Sequence, residues 1–436
     1  MEKCKQQILT IKMNQYIKRY KPQIQNIGVY FLASLIPLIL SMAVNPLIAL
    51  NMDPDDYAIV GYFNSFNTLI APLITFYALH YYSKRYFELN DNDRKHLKST
   101  IMQSLVYLSF LLALVSFSAI YIYTKLFNTE STIPFIPYAL LSVFTIPLTG
   151  IFSLMLTDYK MQKNSKAFFN LSVSKGIIGI VLALLFVVLL KYGALGRMTA
   201  TFLVNFLLFI WCIFKNLDTF KQRFDWTIFK AMIRFIWPLT LAAMLGFFSS
   251  GYDRVFLERL GDVNELGYYV VAVQIAGYIT VFTTAIGSTF QPDIYEGVVK
   301  RNWKKTAKYL IVTIGSTCFV VVGFIIVAPF VVDLLTAGKY TYSAKYVRIL
   351  ALSQITSILY YSVSKITIVL GLTQITLINK IVGSIISVLI FSYFISKWHF
   401  MGAAWGQVIS FVVFMVGNLV LLAIWKRKRI LRILRF

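Results

Sequence analysis

The chain has 436 residues, 58% of them hydrophobic and 14% charged, with a mean hydropathy of +0.70. Soluble domains carry about 25% charged residues, so a soluble protein of this length is excluded. The net charge of +24 comes from 42 Lys and Arg against 18 Asp and Glu. These basic residues fall in short clusters between apolar runs, which is the pattern of membrane orientation and argues against nucleic acid as a partner.

In chain order, residues 1–25 form a basic tail in which "QQILTIKMNQYIKRY" interleaves Ile, Leu and Tyr with Lys and Arg. That spacing predicts a helix lying flat on an anionic leaflet, with membrane lipids as its partner. Six apolar segments follow at 26–50, 58–82, 99–123, 133–156, 167–190 and 194–214. Each is long enough to cross a hydrocarbon core of about 30 Å and too long for a barrel strand. The first exceeds the apolar core of a secretion signal, so it is expected to stay in the mature protein. A basic linker, 215–231, leads to six more segments at 232–257, 266–290, 306–331, 346–370, 374–395 and 400–425. A second basic tail, 426–436, repeats the interfacial pattern in "KRKRILRILRF". The expectation is an all-α integral membrane protein: twelve transmembrane helices in two six-helix pseudo-symmetric lobes, 26–214 and 232–425.

The lobes read as repeats. "NMDPDDYAIVGYFNSFNTLI" (51–70) aligns with "LGDVNELGYYVVAVQIAGYI" (260–279), matching Asp53 with Asp262 and Asn45 with Arg254. "KGIIGIVLALLFVVLLKYGALG" (175–196) aligns with "KIVGSIISVLIFSYFISKWHFMG" (380–402) across one insertion, matching Lys175 with Lys380. Pro37 and Pro238 do not align in this register. Parallel repeats about an axis along the membrane normal are a transporter plan that leaves a cavity between halves. The Lys and Arg clusters at the N-tail, 84–98, 160–166, 215–234, 300–308 and the C-tail all fall on one side. The positive-inside rule therefore predicts both termini in the cytoplasm.

Enzymatic chemistry finds no support. No loop is long enough to form a domain, and no carboxylate cluster stands out. Cys4, Cys212, Cys318, His80, His96 and His399 are scattered, so no metal site is expected. "LTAGKY" (335–340) lacks the first Gly of a phosphate loop, so no ATP-driven motor is encoded.

Charge inside the membrane is costly and normally faces a wet cavity, a partner or the interface. Lys175, Lys380 and Lys365 lie about 12, 9 and 7–8 Å inside their segments at the helical rise, depths that snorkelling recovers in part. Arg254 and Arg197 lie near the other ends of theirs, where snorkelling and function are equally good explanations. Asp253 is adjacent to Arg254 but points about 100° away on a helix, so it is not expected to pair with it. Intramembrane charge is thus mainly positive. Lys175, Lys380, Lys365 and Arg254 are the candidates for a cationic lumen, which would attract an anion and repel organic cations. Asn45, Asn64, Asn67 and Gln274 are candidate polar lining for sugar hydroxyls, or else hydrogen-bond other helices. Pro37, Pro72, Pro147 and Pro238 allow kinks, and "GAAWG" (402–406) is a small-residue motif for close helix packing.

The stretch "DRVFLERLGDVNELGYYVVAVQIA" (253–276) resembles the turn between the seventh and eighth helices of Wzx-type polysaccharide flippases, in the multidrug/oligosaccharidyl-lipid/polysaccharide exporter superfamily. Twelve spans, a central basic linker, and "GALG" and "FMGAAWG" opening spans six and twelve extend the resemblance over nearly the whole chain. It implies a V-shaped pair of lobes in a bacterial cytoplasmic (inner) membrane. It also implies translocation of undecaprenyl-diphosphate-linked oligosaccharide repeat units from the inner to the outer leaflet, for surface polysaccharide such as O-antigen or capsule. The lumenal basic role would fall to Arg254, Lys175, Lys365 and Lys380 by placement. The basic cluster of lipid II flippases has no counterpart in "NIGVYFLASLIPLILSMAVNP" (26–46). No cofactor is expected, and an H+ or Na+ gradient or the membrane potential would drive transport. A polysaccharide polymerase and chain-length machinery are the expected protein partners. The alternatives are a multidrug/cation antiporter of the same fold, and a membrane polysaccharide polymerase or ligase.

Overall fold

Where apolar segments cross lipid, each backbone amide must bond within its own segment, so helices form. The computed structural model describes residues 29–127, 131–370 and 372–433, and it is helical throughout its spans. The expected N-tail helix lies outside the described residues. Helix α1 is Val29–Leu50. It is followed by α2 (Pro54–Thr75), α3 (Ala78–Arg85), α4 (Asp91–Phe127), α5 (Tyr138–Met161), α6 (Ser165–Ala183, continuing as a π-helical turn to Leu189) and α7 (Gly193–Lys215). The short α8 (Leu217–Phe220) lies in the basic linker. Then come α9 (Trp226–Met244), α10 (Phe247–Ser250), α11 (Tyr252–Glu258), α12 (Val263–Val299), α13 (Trp303–Thr336), α14 (Ala344–Val369) and α15 (Thr373–Ile433).

Helices cover all twelve expected segments, and ten of the helices among the described residues are long and apolar enough to cross a membrane. The second is broken into α2 and α3 where Phe76 and Tyr77 take left-handed backbone angles, and the seventh into α9, α10 and α11. The last two are the arms of α15, which folds back at His399. The arms are held antiparallel by Asn379 Nδ2 donating to the Phe414 carbonyl (2.9 Å). "GAAWG" closes this hairpin. A Cβ on Gly402 would sit 1.9 Å from the Phe394 carbonyl oxygen, and one on Gly406 would sit 2.7 Å from the Phe391 ring.

The repeat register is visible in the caps. Asp53 caps α2, its side chain paired with the N3 backbone and that of Asp56 with its own, and Pro54 occupies the first helical turn. Its aligned partner Asp262 caps α12 by accepting from the Glu265 amide (2.9 Å). Lipid-facing stripes are equally plain. Ile311, Val322, Ile326, Phe330 and Leu334 are exposed along one face of α13, while Thr313, Thr317, Val321 and Val332 are buried on the other.

The lobes meet mainly through α2 and α12 at the end of the molecule bearing Asp53, opposite the lysine-rich end. Gly267 is bare because the Pro54 carbonyl approaches to 2.0 Å of where a Cβ would stand. Across the same end, Tyr340 Oη donates to the Met52 carbonyl (2.7 Å), and Lys339 Nζ reaches that carbonyl (2.7 Å) and Asp53 Oδ1 (3.0 Å). Asn45 Nδ2 donates to the Leu335 carbonyl at 2.7 Å. Towards the lysine-rich end, α9 leans on α2 and α3, while α10 and α11 pack on α15. The seventh crossing therefore bridges the two lobes.

Candidate functional site

Between the lobes lies a cavity of about 470 Å³. On α2, Tyr57, Asn64 and Asn67 present one helical face to it. Facing them are Gln274 and Tyr278 of α12, with Arg197 and Thr201 from α7 and Arg254 from α11. This wall runs ten residues along α2 from Tyr57 to Asn67, about 15 Å at the helical rise. The volume is ordinary for a ligand site. Ser142 Oγ donates to Asn67 Oδ1 (3.1 Å), and Asn64 is exposed to the cavity.

Arg254 is buried, and its place follows from the break in the seventh crossing. Its Nη2 donates to the carbonyl of Ser250, at the interruption before α11. The expectation that Asp253 would not pair with it is corrected: Arg254 Nε lies 3.4 Å from Asp253 Oδ1. The neighbours meet because the long arginine side chain curls back across the first turn of a short helix. The other carboxylate oxygen, Asp253 Oδ2, accepts from the buried Tyr269 hydroxyl at 2.7 Å. Asp253 is thereby anchored away from the cavity wall, and among the described residues no Asp or Glu lines that wall.

Arg197, undecided between snorkelling and function just as Arg254 was, is the basic residue that the sequence reading did not put among the lumenal candidates. Among the described residues it has no carboxylate partner within ion-pair distance, and it lines the cavity. Its signal was the one used for Arg254: a fixed charge one turn inside the end of an apolar span. The charge of Arg254 is offset by Asp253, so Arg197, amid a ring of amides and hydroxyls, supplies the net positive charge of the cavity lining.

The remaining candidates are distributed differently. Asn45 reaches the cavity through Gln274, whose Nε2 donates to Asn45 Oδ1 at 2.9 Å. Lys175 lines a second cavity of about 370 Å³ inside the first lobe, walled by α1, α6 and α7, with its ammonium 4.2 Å from the centre of the Phe152 ring. Its repeat partner Lys380 lies within the second lobe, 5.9 Å from the Tyr360 and Phe414 rings. Lys365 Nζ approaches the Gly287 carbonyl of α12 at 3.5 Å. The structure thus brings Arg254, Asn64, Asn67 and Gln274 together, joins Asn45 to them, and leaves the three lysines outside the inter-lobe cavity. Among the described residues no group of three His, Cys, Asp or Glu side chains could hold a metal ion.

The sequence matches the model of the family described as "Polysaccharide biosynthesis protein" over residues 24–298. No curated protein matches it. Among solved structures, it is similar to a lipid II flippase MurJ in an inward closed conformation, at 15% identity and a TM-score of 0.67, covering 90% of this chain and 86% of that one. It is also similar to an inward-facing multidrug resistance MATE family transporter of the MOP superfamily, at 16% identity and a TM-score of 0.66, covering 91% and 99%. A third is a MOP superfamily transporter from Pyrococcus furiosus Vc1, reported with reversed polarity of its binding pocket, at 16% identity and a TM-score of 0.57, covering 93% and 95%. At these identities the likeness establishes the fold.

Proposed function

Because the chain belongs to the polysaccharide biosynthesis protein family, we propose that it is a flippase carrying undecaprenyl-diphosphate-linked oligosaccharide repeat units from the inner to the outer leaflet of a bacterial cytoplasmic membrane. The observation that carries this reading is the inter-lobe cavity lined by Arg197 and Arg254 and, among the described residues, by no carboxylate. Guanidinium groups match phosphate oxygens in paired geometry. The diphosphate binds there while the lipid tail stays in the bilayer. Asn64, Asn67 and Gln274 meet the sugar hydroxyls. Dragging such a head group through hydrocarbon unaided would cost many kcal/mol, and a wet cavity removes that cost.

The end bearing Asp53 is the outer one in this reading, because the Lys and Arg clusters face the cytoplasm. The lobes are closed outside, and rocking about their contact exposes the cavity to the other side. No resident cofactor takes part. A membrane potential negative inside favours outward movement of an anion by about 2.3 kcal/mol per charge per 100 mV, so the potential is a sufficient driving force. A proton or sodium gradient is the alternative source. The product would then be available to a polymerase and chain-length machinery for O-antigen or capsule assembly.

The test is mass analysis of lipid extracts after depletion of the protein. Single repeat units on a polyprenyl diphosphate are expected to accumulate on the inner leaflet. An unchanged lipid pool with gained sensitivity to cationic drugs would instead identify a multidrug/cation antiporter. Accumulated repeat units on the outer leaflet would identify a polymerase or ligase.

A further inference from the structure

We propose that the lysine-rich end carries a headgroup site for an anionic phospholipid, built where α3 meets α9. The site is independent of what the inter-lobe cavity transports. Lys230, Ala231, Arg234 and Phe235 of α9 line a recess of about 490 Å³. Lys84 of α3 completes it, with its ammonium 4.3 Å from the centre of the Phe235 ring. Lys84, Lys230 and Arg234 are all exposed. Among the described residues none of the three lies within ion-pair distance of a carboxylate, whereas Arg85, Arg94, Lys98, Lys300 and Lys305 at the same end each do. Neither α3 nor α9 contains an acidic residue. Asp225, at the start of α9, is engaged by the amides of Thr227 and Ile228. Three positive charges thus surround one aromatic ring, and among the described residues no counter-ion meets them.

The surface of α9 indicates what supplies the counter-ion. Trp226, Lys230, Arg234, Trp237 and Leu241 form one exposed stripe at helical spacing, while Met232, Ile236 and Thr240 are buried on the other face. Lys230 and Arg234 stand one turn apart. Trp237 and Leu241 continue the stripe about 5 and 10 Å deeper into the apolar span. That order matches a lipid, with a phosphate at the polar level and an acyl chain along indole and leucine below it. Arg234 suits two phosphate oxygens at once, and Lys230 and Lys84 add point charges. A zwitterionic lipid brings its own cation into the recess, whereas a headgroup of net negative charge neutralises it. A free phosphate would meet the cations but leave the apolar half of the stripe unused. In the orientation proposed above, the lipid comes from the inner leaflet. Because α3 belongs to the first lobe and α9 leads into the second, a headgroup held by both ties them together at this end.

Photo-crosslinking of the full chain in nanodiscs tests this, with phosphatidylglycerol and phosphatidylcholine present in equal amounts. Trp237→p-benzoylphenylalanine captures the lipid beside the recess, and mass analysis identifies the adduct. The same replacement of Phe319, on the lipid-facing side of α13 and 82% exposed, reports the bulk lipid. At Trp237 the phosphatidylglycerol adduct is expected to exceed the phosphatidylcholine adduct by about tenfold, the effect of one charge-assisted contact. At Phe319 the two adducts should be equal. Adding Lys230→Gln and Arg234→Gln should lower the ratio at Trp237 to that of the bulk. A wild-type ratio at Trp237 no higher than at Phe319 would overturn the site, and so would a ratio that survives loss of both cations. Should the Lys230→Gln, Arg234→Gln protein fail to fold, the comparison of the two positions still decides. Undecaprenyl diphosphate is then added as a minor component. Phosphatidylglycerol keeping its place at Trp237 supports the assignment, whereas its displacement by the diphosphate would overturn it and give the recess to the transported lipid.

Discussion

The closure at the Asp53 end gives the sharpest mechanical prediction. Two donors converge on the Met52 carbonyl from the opposite lobe: the hydroxyl of Tyr340, fully buried, and the ammonium of Lys339, which also pairs with Asp53. The double substitution Lys339→Ala with Tyr340→Phe removes both and leaves that carbonyl without its cross-lobe partners. The neutral hydrogen bond from Tyr340 is worth about 1 kcal/mol. The Lys339–Asp53 pair is worth less than its distance suggests, because Asp53 is largely exposed, and we assign it and the Lys339 hydrogen bond together about 1 kcal/mol. The closed arrangement therefore loses about 2 kcal/mol, which moves a two-state equilibrium by about 30-fold. Spin labels at the exposed positions Asp55 and Tyr342, one on each lobe, read the separation by double electron–electron resonance. Wild type should show one short distance, and the double variant a second, longer population that the single Tyr340→Phe shows more weakly. An unchanged distance distribution in the double variant would refute the argument that these contacts hold the lobes together.

Other predictions address packing and charge. Asp158 is buried at the lysine-rich end of the first lobe, where it accepts from Lys98 Nζ and the Tyr82 hydroxyl, each at 2.6 Å. Asp158→Asn strands a largely buried ammonium and should cost about 3–5 kcal/mol, seen as a lower melting temperature in detergent. The apolar pair Lys98→Met with Asp158→Leu should recover most of that loss, and failure to recover would show that the pair does more than neutralise itself. Gly402→Ala drives a methyl into the Phe394 carbonyl, which is backbone and cannot yield, so loss of monodisperse protein on size exclusion is expected. Gly277→Ala in α12 meets nothing within 4 Å and should leave folding intact or raise stability by up to about 1 kcal/mol. In transport assays Arg197→Ala and Arg254→Ala should each lower the rate at least tenfold, whereas Lys380→Gln should leave it near wild type. A severe loss in folded Lys380→Gln would mean that its lobe opens a cavity in another conformation.

The residues of the site were unequally legible. Arg254, Asn64, Asn67 and Gln274 could be picked out because a polar or charged side chain in an apolar span is conspicuous, and the cavity gathers all four. The same rule flagged Lys175, Lys365 and Lys380, yet these are held within the lobes by aromatic rings and carbonyls that lie far away in sequence. Asp253 was misjudged because helix geometry describes where a side chain leaves the backbone, and a long arginine can return to a neighbour. Arg197 carried the same signal as Arg254, a charge near the end of a span that fits snorkelling as well as a cavity, and nothing local in the sequence separated the two.

The membrane class and the helical segments are determined by the sequence alone, because lipid imposes a fixed length, an apolar composition and backbone bonding within each segment. The aspartates that cap α2 and α12 belong to this class, since a cap acts within one turn of its own residue. Which charge faces which space is decided only by the tertiary structure. The break at Gly251, the fold-back at His399 and the meeting of α2 with α12 set where each side chain ends, and none of these has a local signature strong enough to fix it. Depth in a helix is one coordinate along an axis. The direction that leads to lipid, lobe or cavity depends on neighbours tens to hundreds of residues away.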